Sequence, residues 1–147
     1  MGDSLELEPR EVWQAFFEIC AIPHPSHHEE ALATWAVERA RRSGLEALRD
    51  AAGNVIVRKP ASPGLEDSPG IILQAHLDMV PQKTGDSGHD FLRDPIRPRL
   101  DPAEPEWLRA TGTTLGADDG IGIAAGFALL EDPGLRHGPL ELLLTLN

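Results

Sequence analysis

A short apolar segment that ends in the motif His-x-Asp narrows the range of folds open to this chain more than any other stretch of its sequence. Residues 70–75 are apolar apart from Gln74, and His76 and Asp78 follow them directly. A continuous apolar run of this length is typical of a buried β-strand, along which alternate residues point to the same side. The sequence therefore predicts that His76 and Asp78 lie side by side where the strand leaves the sheet, with Leu77 turned the other way.

A second polar motif follows further along the chain, where two aspartates stand between glycines. Asp118 and Asp119 are flanked by Gly116 and Gly120, and the apolar, Gly-rich residues 120–130 after them predict a helix. In open α/β sheets, ligands bind in the crevice outside the carboxyl ends of the strands. We therefore expect the aspartates to meet the His-x-Asp motif at one edge of a sheet.

Two amphipathic helices are predicted before this strand. Apolar residues recur at three- and four-residue intervals across residues 12–20, and a proline soon afterwards stops the pattern. Ser26 and Glu29 have the spacing of a capping box, which predicts the start of a second helix that ends at Gly44.

The remaining segments predict strands and complete an α/β fold. The leucine-rich residues 140–146 predict another buried strand, which can pair in parallel with residues 71–75 because a helix connects the two. Residues 81–94 lack apolar periodicity and predict a long surface loop of the kind that often contacts a ligand. The fold class that we expect is a mixed, largely parallel sheet flanked by helices, with antiparallel pairs at residues 45–48 and 54–58 and at residues 96–100 and 107–110.

Composition limits the class of protein and its partners. The chain has 147 residues, of which 41% are hydrophobic and 25% charged, as is ordinary for one soluble domain. Its net charge of -11 would repel nucleic acid. Residues 1–13 show no targeting signal, and no apolar window is long enough to span a membrane. Cys20 falls on the apolar stripe of the first helix, which favours a buried, unreactive thiol in a reducing compartment.

The residue types in the two motifs are those of a divalent metal site. Imidazole nitrogens and carboxylate oxygens bind such metals at about 2.0 to 2.2 Å when rigid elements hold them. We predict that His76 is a ligand, that Asp78 accepts its other ring N–H and orients it, and that Asp118 bridges two cations. Asp119 either caps the following helix or supports the ligands.

Each motif taken alone also has a simpler interpretation. A histidine at the end of an apolar strand is more often just hydrogen-bonded than a metal ligand. An aspartate pair before a helix is most often an N-terminal cap. The other histidines are not spaced as metal ligands, and we assign none of them to the site: His24, His27, His28, His89 and His137.

Stretches longer than the two motifs match the pattern of a known family. They are residues 73–83, 89–91, 94–96 and 112–122, together with residues 22–26 and 53–55 nearer the start. Together they resemble the bacterial Xaa-His dipeptidases, also called aminoacyl-histidine dipeptidases, of the zinc aminopeptidase, carboxypeptidase and aminoacylase superfamily. Asp119 departs from the Asn often found at its position in that branch.

This resemblance implies the zinc-dependent hydrolysis of Xaa-His dipeptides in the cytoplasm. It implies two divalent metal ions, zinc with cobalt or manganese as alternatives, with metal ligands at His76 and Asp118 and a catalytic role for Asp78 in steadying His76. The expected partner is a dipeptide substrate, not nucleic acid or a membrane. A homodimer is the assembly to consider for the full-length protein.

The resemblance also implies that residues 1–147 are the N-terminal part of a catalytic domain. The family's general-base Glu and an adjacent Glu ligand come directly after a strand like residues 142–146, outside this sequence. A further carboxylate ligand, a distal His and a lid-like dimerisation domain are also outside it. We therefore expect weak metal binding and negligible turnover from these 147 residues alone.

Two other classes of function compete with this hypothesis. Another hydrolase of the superfamily, such as a tripeptidase or an aminoacylase, would carry the same metal motifs. A non-catalytic binding module would keep the fold but lack the base. A plain structural domain with a capped helix leaves the long motif agreement unexplained.

Overall fold

The computed structural model describes residues 7–146, and residues 1–6 and 147 lie outside the described part. The beginning of the segment 1–13, in which we found no targeting signal, is therefore not described. None of the described helices has the length and apolar character needed to cross a membrane. The elements are α1 (Arg10–Cys20), α2 (Glu30–Arg42), β1 (Glu46–Arg49), β2 (Val55–Lys59), β3 (Ile71–His76), β4 (Pro98–Leu100), β5 (Leu108–Ala110), α3 (Ala117–Glu131) and β6 (Leu140–Thr145).

Four strands form a mixed sheet in the order β1-β2-β6-β3. β2 is antiparallel to both β1 and β6, whereas β3 and β6 are parallel. The expected mixed sheet is confirmed, but the expectation that it is largely parallel is wrong for the described strands, because β2 runs antiparallel to both of its neighbours. The one parallel pair of this sheet is the pair predicted from the strand, helix and strand pattern. β4 and β5 form the separate antiparallel hairpin that was predicted. Residues 81–94 contain no helix or strand, as expected for a loop.

An apolar core lies between one face of the sheet and the helices. α3 packs on β3 and β6, α2 packs on β1 and β2, and α1 packs against α3. Burial of one large apolar side chain stabilises a fold by about 1.5 to 3 kcal/mol, so the central strands form a rigid base for the residues at their ends. The fully buried side chains of this core include Phe16, Phe127, Val55, Val57, Leu142 and Leu144.

β3 differs in part from the buried strand that its sequence predicts. It lies at the edge of the sheet, and Ile71 and Ile72 at its start are 54% and 63% exposed. Ala75 near its end is 1% exposed and belongs to the core. The prediction of burial is wrong for the first half of the strand, because an apolar run does not distinguish an edge strand from a central one. It is correct for Ala75, the residue directly before His76.

The predicted capping box is also wrong. α2 begins at Glu30, and its N-cap residue Glu29 makes no side-chain capping hydrogen bond. Glu29 Oε1 instead accepts the N–H of His27 at 2.6 Å. Ser26 is drawn away from the helix because Pro25 pairs with Met79 in a parallel bridge beside the extension of β3. The spacing of the two residues fits a capping box, but tertiary pairing determines where the Ser26 hydroxyl points.

Candidate functional site

His76 is the last residue of β3, and Asp78 follows just beyond the strand. Nδ1 of His76 lies 3.0 Å from the carbonyl oxygen of Asp78 and 3.1 Å from its Oδ1. Because both oxygens are acceptors, we infer that Nδ1 carries a proton and donates it to Asp78. Leu77 is fully buried and donates its N–H to the carbonyl of Thr145. The predicted alternation of these three residues is confirmed, and Nε2 of His76 remains for a second partner.

That second partner is Asp118, as expected from the two motifs. Oδ1 of Asp118 lies 2.9 Å from Nε2 of His76, and the Asp118 side chain is 96% exposed. Gly116 before it has a φ of 75°, a left-handed conformation that glycine adopts without steric cost. The backbone of Asp118 and Asp119 is not helical, and the peptide bond between them is cis. This turn brings the start of α3 to the end of β3.

The surroundings of His76 favour its protonated form. Partial burial lowers the pKa of His76, whereas its hydrogen bonds with Asp118 and with the carbonyl of Asp78 raise it. The negative charges of Asp78 and Asp119 raise it further, and the net effect is a pKa of His76 above its usual value of 6.5. Three carboxylates therefore surround one imidazole ring. The same concentration of negative charge attracts a metal cation.

Asp119 holds the backbone of His76 rather than the end of the helix. Its Oδ2 accepts the N–H of His76 at 3.3 Å. Its carboxylate lies so close to Gly122 that a Cβ at that position would collide with it. No side chain makes a capping hydrogen bond at the start of α3. Of the two roles that the sequence left open for Asp119, the structure favours support of His76.

Ser26 is a member of this cluster that sequence analysis missed. Its hydroxyl donates a hydrogen bond to Oδ2 of Asp78 at 2.6 Å. The two residues are 52 positions apart, so no local pattern links them. The one available signal was the match of residues 22–26 to the same family as the metal motifs, and it does not specify a contact.

The buried histidines outside the cluster hydrogen-bond to the backbone. Nδ1 of His24 lies 2.6 Å from the carbonyl of Ile22, and burial lowers the pKa of His24 despite that hydrogen bond and the nearby charges of Asp78 and Glu29. Nδ1 of His137 lies 2.7 Å from the carbonyl of Gly138. Neither side chain joins His76 and Asp118.

The chemistry and spacing of His76 and Asp118 fit two ligands of a metal centre. Ligand atoms bound tetrahedrally at about 2.0 to 2.1 Å lie about 3.4 Å apart, so a pair that is 2.9 Å apart needs to open only slightly. The exposed Asp118 carboxylate leaves room beside it for a second cation. In residues 7–146, however, no group of three or more His, Cys, Asp or Glu side chains could hold a metal ion. A complete centre needs further ligands.

Comparison with known proteins relates this geometry to an enzyme class. No family model matches the chain. The chain is 51% identical over all 147 residues to the cytosol non-specific dipeptidase of Escherichia coli (strain K12), of which it covers 30%. It superposes on the crystal structure of aminoacylhistidine dipeptidase from Vibrio alginolyticus with a TM-score of 0.93 and 51% identity, over 99% of this chain and 29% of that one.

A more distant structure shares the fold alone. It is a dinuclear metal binding peptidase from the M20 family of Bacillus subtilis, with a TM-score of 0.55 and 17% identity over 90% of this chain and 34% of that one. The chain is thus homologous along its whole length to part of the two dipeptidases, and it spans about 30% of their length. The resemblance carried by residues 73–83 and 112–122 is confirmed, and so is the α/β fold.

Proposed function

We propose that this dipeptidase homologue is the N-terminal part of the catalytic domain of a cytoplasmic metallodipeptidase that hydrolyses Xaa-His dipeptides. One observation carries the proposal: His76 and Asp118 converge at the end of β3, in a chain 51% identical to two named dipeptidases. Peptide hydrolysis is then a property of the longer enzyme. Residues 1–147 contribute the edge of the sheet that holds the metal.

In this proposal, His76 and Asp118 are metal ligands and Asp78 is the residue that keeps His76 oriented. We propose two divalent ions, zinc with cobalt or manganese as alternatives, and the description of the Bacillus subtilis peptidase as dinuclear agrees with that number. When bound, such ions polarise the peptide carbonyl as Lewis acids and lower the pKa of water.

The residues of this chain prepare the site in three ways. Asp78 accepts a hydrogen bond from Nδ1–H of His76, which places the ring lone pair on Nε2, where a cation can bind it. Asp119 fixes the backbone N–H of His76, so the ring cannot shift along the strand. Asp118 supplies negative charge from an exposed position, where it can serve two cations. Together these contacts orient the ligands before a metal binds.

The position of β6 supports a general base from outside this sequence. His76 of β3 lies opposite Thr145 of β6 in the parallel register. Residues that follow β6 in the full-length protein would therefore leave the sheet next to His76. A glutamate there would lie at the same edge as the metal ligands, as the resemblance implies.

The substrate and partners follow from the same proposal. Both relatives are named as dipeptidases, one as non-specific and one for aminoacylhistidine, so we propose a dipeptide with histidine at its C-terminal end. The acidic chain supports neither nucleic acid nor an anionic membrane as a partner. The cytosolic location given for the Escherichia coli relative supports the same compartment here. A homodimer of the full-length protein is part of the proposal.

The test compares the full-length protein with the 147-residue chain. Calorimetry measures Zn²⁺ binding, and chromatography measures the hydrolysis of alanyl-histidine. We expect tight binding and turnover from the full-length protein, and weak binding without turnover from the chain. His76→Ala in the full-length protein should abolish turnover and weaken Zn²⁺ binding, whereas His28→Ala, at an exposed position, should change neither.

Two outcomes would contradict the proposal at different levels. Full-length protein that binds no Zn²⁺, or whose affinity is unchanged by His76→Ala, would contradict the metal centre. Preferential hydrolysis of tripeptides or N-acyl amino acids would be consistent with the metal centre but would contradict the proposed dipeptide substrate.

A further inference from the structure

We propose that Ser26 is a positioning residue of the metal site, because its hydroxyl locks the carboxylate that orients His76. The inference rests on the proposed function, since it assigns Ser26 to the same centre. The three side chains form a hydrogen-bonded series in which Ser26 contacts Asp78 and Asp78 contacts His76.

The hydrogen bond from Ser26 to Asp78 is short and directional. Ser26 Oγ lies 2.6 Å from Oδ2 of Asp78 and 3.3 Å from the carbonyl oxygen of Met79. A hydroxyl has one proton to donate, and here it donates its hydrogen bond to the charged acceptor at the shorter distance, Oδ2 of Asp78. Hydrogen bonds of this charge-assisted kind are about twice as strong as neutral ones.

The backbone holds the hydroxyl in this place independently of the side chain. Ser26 donates its N–H to the carbonyl of Met79 at 3.1 Å, and Met79 donates its N–H to the carbonyl of His24 at 3.2 Å. These bonds form the parallel bridge between residues 25 and 79. The segment that carries Ser26 is therefore fixed directly beside the residues that follow β3.

The two oxygens of Asp78 have different partners, and this is why Ser26 controls orientation. Oδ2 accepts from Ser26, whereas Oδ1 lies 3.1 Å from Nδ1 of His76. Rotation of the carboxylate would lengthen both contacts. The Asp78 side chain is only 13% exposed, so water has little access to replace the hydroxyl. Loss of the hydroxyl would leave the carboxylate free to turn and the His76 ring less well fixed.

Helix capping does not account for Ser26. α2 begins at Glu30, and its start has no side-chain capping hydrogen bond. The polar contacts of the Ser26 hydroxyl both lie at the end of β3, on Asp78 and Met79. Its contribution should therefore appear in the properties of the metal site.

The experiment measures Co²⁺ binding by the full-length protein and its variants. Calorimetry gives the affinity, and the visible absorption of bound Co²⁺ reports the geometry of its ligands. Mutations of residues that orient metal ligands typically weaken binding about 10- to 100-fold. We expect Ser26→Ala to weaken Co²⁺ binding about 10-fold and to change the absorption spectrum. Ser26→Thr keeps the hydroxyl, so it should retain most of the wild-type affinity and most of the wild-type spectrum.

A matched control comes from another serine that donates to a carboxylate. Ser43 Oγ donates to Glu131 Oε1 at 2.9 Å, on an exposed surface at the end of α2. Ser43→Ala should leave Co²⁺ affinity and the absorption spectrum unchanged. Ser26→Cys replaces the hydroxyl by a slightly larger thiol, which is a weaker donor, so it provides a similar comparison if Ser26→Ala does not fold. We expect weakened Co²⁺ binding by that variant also.

The outcomes separate this inference from the proposed function. Wild-type affinity and spectrum in Ser26→Ala or Ser26→Cys would overturn the role of Ser26 and leave the metal centre intact. Equal losses in Ser26→Ala and Ser26→Thr would also overturn it, because the hydroxyl would then not be the cause. Co²⁺ affinity that is insensitive to His76→Ala would instead remove the proposed function, and this inference with it.

Discussion

Nε2 of His76 and Oδ1 of Asp118 lie 2.9 Å apart, although the two residues are 42 positions apart in the sequence. One side chain is delivered by the end of a strand and the other by the turn before a helix. The two side chains hydrogen-bond to each other.

Asp118→Asn should lower the pKa of His76 in metal-free protein, because the mutation removes a charged hydrogen-bond partner that raises it. Because the pKa of His76 is raised in the folded state, the direction in which pH changes the stability of the protein can also be predicted. The contribution of the pair to stability is fully present below pH 6.5 and is lost as pH rises through the folded-state pKa. NMR titration of the His76 ring protons, with chelator present, measures the effect. Asp67→Asn, at an exposed loop position, is the control, and an equal pKa in wild type and Asp118→Asn would contradict the prediction.

Gly122→Ala should destabilise the protein and disturb His76 indirectly. A Cβ at this position would collide with the carboxylate of Asp119, which accepts the N–H of His76. Overpacking of this kind costs about 1 to 3 kcal/mol in the free energy of unfolding. Urea denaturation measures the loss. Gly85→Ala, in an exposed turn, is the control because no neighbouring atom lies within 4 Å of its added Cβ. Equal stabilities for the two variants would contradict the predicted collision with Asp119.

Arg39→Lys should destabilise the junction of α2 and α3. The guanidinium of Arg39 makes two hydrogen bonds to Glu131, at 2.9 and 2.7 Å, and a third to Glu18 at 3.0 Å. Its side chain is 14% exposed, and a lysine cannot reproduce the paired bonds to Glu131. We expect a loss of about 1.5 to 3 kcal/mol, the contribution of one hydrogen bond to a charged group.

The control for Arg39→Lys is another arginine that contacts two carboxylates. Arg109 contacts Asp101 and Glu104, but its side chain is 48% exposed. Arg109→Lys should therefore change thermal stability very little. If both variants unfold at the temperature of the wild type, the partly buried pair of Arg39 and Glu131 contributes nothing beyond an ordinary surface contact.

Cys20 should be unreactive in the folded protein. It is 2% exposed, and desolvation raises its pKa to about 12, so almost no thiolate forms at neutral pH. The expectation of a buried thiol is confirmed. Ellman's reagent should react with Cys20 only after the protein is unfolded in guanidinium chloride. Rapid reaction under native conditions would show that the core around α1 opens readily.

The sequence was sufficient to predict the parts of the site that depend on local rules. Alternation along a strand predicts the relation of His76, Leu77 and Asp78, and the position of Asp118 between a strand and a helix predicts that it meets them at the edge of the sheet. The parallel pairing of β3 with β6 follows from the strand, helix and strand order. The first two features need only near neighbours in the chain, and the third follows from the order of the elements.

The parts that were missed depend on contacts between distant segments. Ser26 satisfies a local capping pattern, but the bridge between residues 25 and 79 turns it to Asp78. Asp119 was left with two roles because its contact with the N–H of His76 appears only when α3 docks on β3. The exposure of Ile72 was missed for a related reason, since the position of a strand within a sheet is a property of the whole sheet.

The register of β3 against β6 protects the chemistry of the site from errors of folding. Ala75 lies opposite Leu144, and both are buried. A slip of one residue would reverse the faces of the strand and bring His76 and Asp78 into the apolar interior while Leu77 entered the water. The hydrophobic effect opposes that exchange. The correct alignment of the polar residues is thus enforced by buried apolar side chains on the opposite face of the strand.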